Sequence, residues 1–101
     1  MKQEIVNVVF RKWPNGDVIA LFPEIPAGTR GLSCLSYEHI GQHGATDYDN
    51  VVSATRPSTM EELTPLNTEL QRIGYLTRLC WQRTPQMRAN YKTALTKIRG
   101  D

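Results

Sequence analysis

Ile5-Val6-Asn7-Val8-Val9-Phe10, then Pro14-Asn15-Gly16, then Val18-Ile19-Ala20-Leu21-Phe22 is the stretch whose reading decides the fold. The first run is β-branched and apolar, and alternation puts Val6, Val8 and Phe10 on one face of a strand. Proline presets φ and Asn-Gly accepts the positive φ of a tight turn, so the chain reverses here. The return run sets Val18, Ala20 and Phe22 on one face and is apolar on the other as well. A strand apolar on both faces belongs in the middle of a sheet, covered on both sides.

Working outward, Pro23 ends the return strand and Pro23 to Gly31 reads as an irregular loop. Leu32 to Ile40 reads as a third strand, with Leu35, Tyr37 and His39 on one face and Cys34, Ser36 and Glu38 on the other. Gly41 to Asn50 reads as a polar loop, and Val51 to Arg56 as a short fourth strand. Ser58 with Glu61, or Thr59 with Glu62, has the spacing of a capping box. Leu63, Leu66, Leu70 and Ile73 then recur at helical steps, with Pro65 inside the pattern to kink the first turns or shift the start. Gly74 suits the left-handed residue after a helix end. Tyr75 to Trp81 reads as a fifth strand. Thr84-Pro85 is an N-cap followed by proline at the first helical position, and Met87, Tyr91, Leu95 and Ile98 form the apolar stripe of a second helix. The expectation is an α+β domain spanning 1–101: a four- to five-stranded antiparallel or mixed sheet, opening with a β-hairpin, and two helices in the order ββββαβα.

With 101 residues, 40% hydrophobic and 22% charged, the chain has the composition of an ordinary soluble globular domain rather than a disordered tail. No apolar run approaches the roughly 18 residues of a membrane span, and the first residues open no signal peptide. Two cysteines, Cys34 and Cys80, are too few for a disulfide scaffold and read as reduced thiols of a cytoplasmic protein. A homo-oligomer would be an easy way to enlarge so modest a core.

The net charge of +2 hides an asymmetry. Residues 1–70 hold five basic and nine acidic side chains, whereas residues 71–101 hold seven basic and one acidic. A segment carrying Arg78, Arg83, Arg88, Lys92 and Arg99 points to a phosphate-bearing or acidic partner, unless it is only a solvated face. Nucleic acid is one such partner, with Trp81 or Tyr91 as the stacking ring, Tyr91 lying on the apolar stripe, and with Trp13, flanked by Arg11-Lys12, the better candidate for exposure. No helix-turn-helix, zinc finger or ribonucleoprotein motif accompanies it.

The densest polar stretch, Tyr37 to Asp49, holds both histidines, three acids and two tyrosines. His39 and His43 with Asp47 invite a divalent metal and a metal-dependent enzyme, but Gly41 and Gly44 argue against the helix that would bring the two rings together. The other reading is a recognition loop. Gly41 and Gly44 let the backbone approach a ligand, His39, Gln42, His43, Thr46 and Asp47 offer directional hydrogen bonds, and Tyr37 and Tyr48 offer ring faces. The bland alternative is a surface loop with an imidazole bonded for structural reasons. Serines, Cys34, histidines and acids are present in no hydrolase order, and no phosphate-loop or dinucleotide fingerprint occurs. No cofactor is implied.

Phe10-Arg11-Lys12-Trp13, the run Gly16 to Glu24 and Ser36-Tyr37-Glu38-His39-Ile40-Gly41-Gln42-His43-Gly44 resemble small hypothetical proteins of bacteriophages and conjugative plasmids. The resemblance runs on through Arg56-Pro57 to Gly74-Tyr75. It brings no assigned activity, so no residue's role is carried over. It implies a mobile-element context, in which small proteins act by stoichiometric binding: an anti-defence factor blocks a host protein or sequesters an anionic nucleotide signal. The expectation is therefore a non-enzymatic binding protein using Tyr37–Asp49 and the basic C-terminal segment. A nucleic-acid-binding accessory protein is the alternative.

Overall fold

The computed structural model of the chain describes residues 5–38 and 42–100. β1 (Ile5–Lys12) and β2 (Val18–Pro26) form the expected hairpin, with Lys12 opposite Val18 and Val9 opposite Leu21. Its turn is closed by Trp13 N–H to Asp17 O at 2.8 Å and Gly16 N–H to Trp13 O at 2.9 Å. Gly16 takes φ of 98°, the left-handed value that favours glycine. β3 (Cys34–Glu38) and β4 (Gln42–Thr46) follow as antiparallel neighbours. The sheet order is β4-β3-β2-β1, so β2 is central, as its doubly apolar sequence requires. On the far side of β1 sit two short strands. β5 (Arg56–Pro57) pairs antiparallel with Arg11–Lys12, and β6 (Leu76–Cys80) pairs parallel with Ile5–Val9. The architecture is α+β, with six strands in a mixed sheet and three helices, one more of each than expected.

Both faces of the hairpin are covered. Val8, Phe10, Ala20, Phe22 and Tyr37 pack against Leu63, Leu66 and Leu70 of helix α2 (Met60–Arg72). Val9, Ile19, Leu21 and Cys34 pack on the opposite face against Tyr48 and Val51 of helix α1 (Tyr48–Ala54), with Tyr91 of helix α3 (Pro85–Arg99) beside them. Of the sequence stripes, Leu63, Leu66, Leu70, Met87 and Leu95 are buried, while Ile73 and Ile98 stay exposed at the ends of their helices.

Three local readings are corrected. Pro23 does not end β2: the register with β3 shifts between Phe22 and Pro26, so the residue without an N–H falls in the irregularity rather than in the ladder. Gly41–Asn50 is not a loop throughout, since residues 42–46 are β4. Val51–Arg56 is not a strand: the chain turns into α1 at Tyr48. Asp47 caps that helix by accepting Asn50 N–H at 3.1 Å. Its other end is closed from a distance. The buried Arg11 guanidinium donates to Val52 O, Thr55 O and Thr55 Oγ1 at 2.7–3.0 Å, taking up carbonyls that a helix end leaves unpaired. These bonds, with burial of Tyr48 and Val51, outweigh the strand preference of Val51-Val52. Trp13 is likewise half-buried against the α1 side of the sheet, not an open platform.

Of the two capping boxes compatible with the sequence, the chain uses Thr59 with Glu62. Pro65 is accommodated inside α2. Glu62 also receives Arg56 at 2.8 Å and the Lys12 ammonium, tying α2 to β1 and β5. Those two cations and the Thr59 amide hold the Glu62 carboxyl well below the usual range. A depressed folded-state value means that the stabilisation is complete above the ordinary glutamate value of 4.5 and is lost as pH falls below it. Urea denaturation should therefore show Glu62→Gln less stable than wild type at pH 7, the two curves converging towards pH 2. The core makes a second demand. Leu63→Ala should lose about 2–5 kcal/mol, and Ile98→Ala no more than about 0.5 kcal/mol.

Candidate functional site

On the α1–α3 side of the sheet, a cavity of about 570 Å³ opens between the start of β3, the start of α1 and the length of α3. Its floor holds Cys34, and its α1 wall holds Asp47, Tyr48 and Asp49. The α3 wall brings Arg88, Tyr91, Lys92, Leu95 and Arg99 to one stripe by steps of three and four. Helix α3 is set in place by three contacts. Tyr91 Oη donates to Ser33 O at 2.7 Å, Arg99 Nε donates to Thr29 O at 2.7 Å, and Asn90 donates to Glu24, which also accepts from Asn7. At the rim, Gly31 (φ 76°) lies so close to Leu95 that an added Cβ would stand 3.1 Å from Leu95 Cδ2. Only glycine suits both that conformation and that approach.

The cavity is cationic, and its charges are unevenly satisfied. Arg83 lies over the Tyr48 ring, 4.3 Å from its centroid, and donates to Asp49 at 2.8 Å. Its Nε is buried and hydrogen-bonded to none of the described residues. Arg99 spends Nε on a backbone carbonyl. Arg88 and Lys92 form no ion pair or side-chain hydrogen bond among the described residues. Burial raises the Tyr48 and Tyr91 phenols, so both stay neutral at physiological pH. Burial also pushes the Cys34 thiol up to about 11 against the opposing pull of Arg83. A thiol so held is a neutral wall, not an activated nucleophile.

The structure distributes the sequence candidates between two faces. Asp47, Tyr48, Arg83, Arg88, Lys92 and Arg99 meet at the cavity. Tyr37 and His43 are cross-strand partners on the α2 face. There Tyr37 Oη donates to Glu69 at 3.0 Å, and the His43 ring lies edge-on to Tyr37 with Nε2 2.8 Å from Tyr75 Oη. Thr46 pairs with Ser36, hydroxyl to hydroxyl, at 2.9 Å. Arg78 lies on β6, exposed and away from the cavity lining. His39 and the Gln42 side chain lie outside the described residues. The sheet thus parts His43 from Asp47, two members of the weighed alternative metal set, and no cluster of three His, Cys, Asp or Glu forms among the described residues. At Gly44 an added Cβ would stand 3.2 Å from Ser36 Oγ, so the position is tight for any side chain.

Sequence reasoning missed Leu32 and Cys34 as lining residues: Cys34 reaches the cavity from the first position of β3, and Leu32 from the connection that precedes it. Tyr91 and Leu95 were legible in the helical stripe, Tyr91 also as a stacking ring, but neither as the wall of a cavity. No family model, curated protein or solved structure matches the chain. Among the described residues, no helix is long and apolar enough to cross a membrane.

The thiols give a direct check on this geometry. Iodoacetamide at pH 8 should modify half-buried Cys80 first, leaving Cys34 at least tenfold slower until the protein is unfolded in urea. Equal rates would contradict the closed floor of the cavity.

Proposed function

We propose that this is a non-enzymatic binding protein whose α1–α3 cavity takes a phosphate-bearing small ligand. The observation that carries the reading is the pair Arg88 and Lys92, two cations one helical turn apart, facing a cavity and without a carboxylate partner among the described residues. Like charges so placed repel each other and favour an anion between them. The cavity, open on one side, has a volume in the range of small-ligand sites. Asp49 neutralises Arg83 and keeps it in place against Tyr48, so the deep end is pre-organised and the α3 end is open for charge. Tyr91, Leu95 and Leu32 supply apolar contact for the body of the ligand. The resemblance to mobile-element proteins supports sequestration as the mode of action: the protein would withhold an anionic nucleotide from a host enzyme stoichiometrically.

Catalysis gains no comparable support. The Cys34 thiol is held protonated, and His43 is on the other side of the sheet. Nucleic acid remains distinguishable by salt: a polyanion tracked by several cations loses affinity linearly in log–log form, whereas a single nucleotide, with fewer phosphates to neutralise, depends on salt more weakly.

Native mass spectrometry against a panel of mono- and dinucleotides tests the reading. Wild-type protein should retain at least one nucleotide, and the Arg88→Glu/Lys92→Glu double variant should retain none. Its melting temperature should stay within a few degrees, since exposed charge changes cost about 0.5 kcal/mol or less each. Retention by the double variant, or no adduct with wild type, would contradict the reading.

A further inference from the structure

Arg83, Arg88, Lys92 and Arg99 line the cavity, and of these only Arg83 is held by a carboxylate among the described residues. Its side chain is 16% exposed and lies over the Tyr48 ring, whereas the Asp49 side chain that holds it is 76% exposed. The pair is one-sided: a nearly buried guanidinium meets a carboxylate that stands mostly in water.

The contact is also narrow. One oxygen of Asp49 accepts from one nitrogen, Nη2, at 2.8 Å. A guanidinium offers its donors as a fork that suits acceptors with two oxygens. Beside that contact, Nε is buried and hydrogen-bonded to none of the described residues. A desolvated donor without an acceptor carries a cost that a better-placed acceptor removes. Asp49 does not depend on Arg83 in return. It sits in the first turn of α1, where a carboxylate is favoured whether or not it touches a cation.

We propose that Asp49 is an exchangeable stand-in for a terminal phosphate of the ligand. In the free protein it holds Arg83 against Tyr48. On binding, the phosphate takes the guanidinium through two of its nitrogens, and the Asp49 carboxylate turns out to solvent. Arg83 thereby joins Arg88 and Lys92 as a third cation for the ligand. This role rests on the nucleotide-binding reading above and adds an internal competitor to it. Asp49 keeps the most buried cation of the cavity ordered, and in doing so it lowers the affinity for every anion that must displace it.

Isothermal titration with AMP across a double-mutant cycle of Asp49 and Arg83 tests the exchange. Asp49→Asn keeps the shape and removes the charge, and it should bind AMP at least threefold tighter than wild type. Arg83→Gln should bind more weakly, and adding Asp49→Asn to it should bring no gain, because no guanidinium is left to release. A general effect of the Asp49 charge on an anion would persist in that background. Thermal melts check that each variant is folded. A second readout needs no variant to fold: in wild-type protein the Arg83 Nε–H and Asp49 carboxyl NMR signals should move together as AMP is added. Equal or weaker binding by Asp49→Asn, a gain that survives in Arg83→Gln, or unmoved Arg83 and Asp49 signals at AMP saturation would overturn the exchange while leaving nucleotide binding standing. Absence of AMP binding by both wild type and Asp49→Asn would overturn it together with the reading beneath it.

Discussion

The β1–β2 hairpin is apolar on both faces, and everything else in the molecule answers that fact. A two-stranded ribbon with Val8, Phe10, Ala20 and Phe22 on one side and Val9, Ile19 and Leu21 on the other is stable only when both sides are removed from water. One helix covers one side. The other side is shared between the short α1 and the long α3. Two helices of unequal length on one sheet face leave a gap between them, and that gap is the cavity. Its cationic character follows from which helix lies there, because α3 carries its basic residues at the margin of its own apolar stripe.

The same constraint explains the division of the polar stretch from Tyr37 to Asp49. Side chains alternate across a strand, so a run read as one loop becomes two surfaces once residues 42–46 are a strand. Tyr37 and His43 fall to the α2 face and join Tyr75 and Glu69 in a structural network. Asp47 and Tyr48 fall to the α3 face. A cluster dense in sequence was therefore not a cluster in space, and the basic segment met only half of it.

Most of the scaffold was legible. The hairpin, α2 and α3 are written in local signals: alternation, capping residues, helical steps and terminal glycines. What escaped reading depends on distant partners. Helix α1 opens on a local cap, Asp47, but is closed by Arg11, more than forty residues away. β5 is two residues long and exists only through its pairing with Arg11 and Lys12. The cavity walls come from β3, α1 and α3, so their meeting is a property of topology. The charge asymmetry did point to α3, but not to which of its cations would be left without a partner.

The central claim is that binding happens in the gap between α1 and α3, and an amide chemical-shift titration with the mono- and dinucleotide panel tests it most directly. The account predicts perturbations concentrated at Leu32 to Cys34, Asp47 to Asp49 and Arg88 to Arg99, with Tyr37, His43 and Tyr75 unmoved. Perturbations centred on the α2 face, or none anywhere, would contradict it.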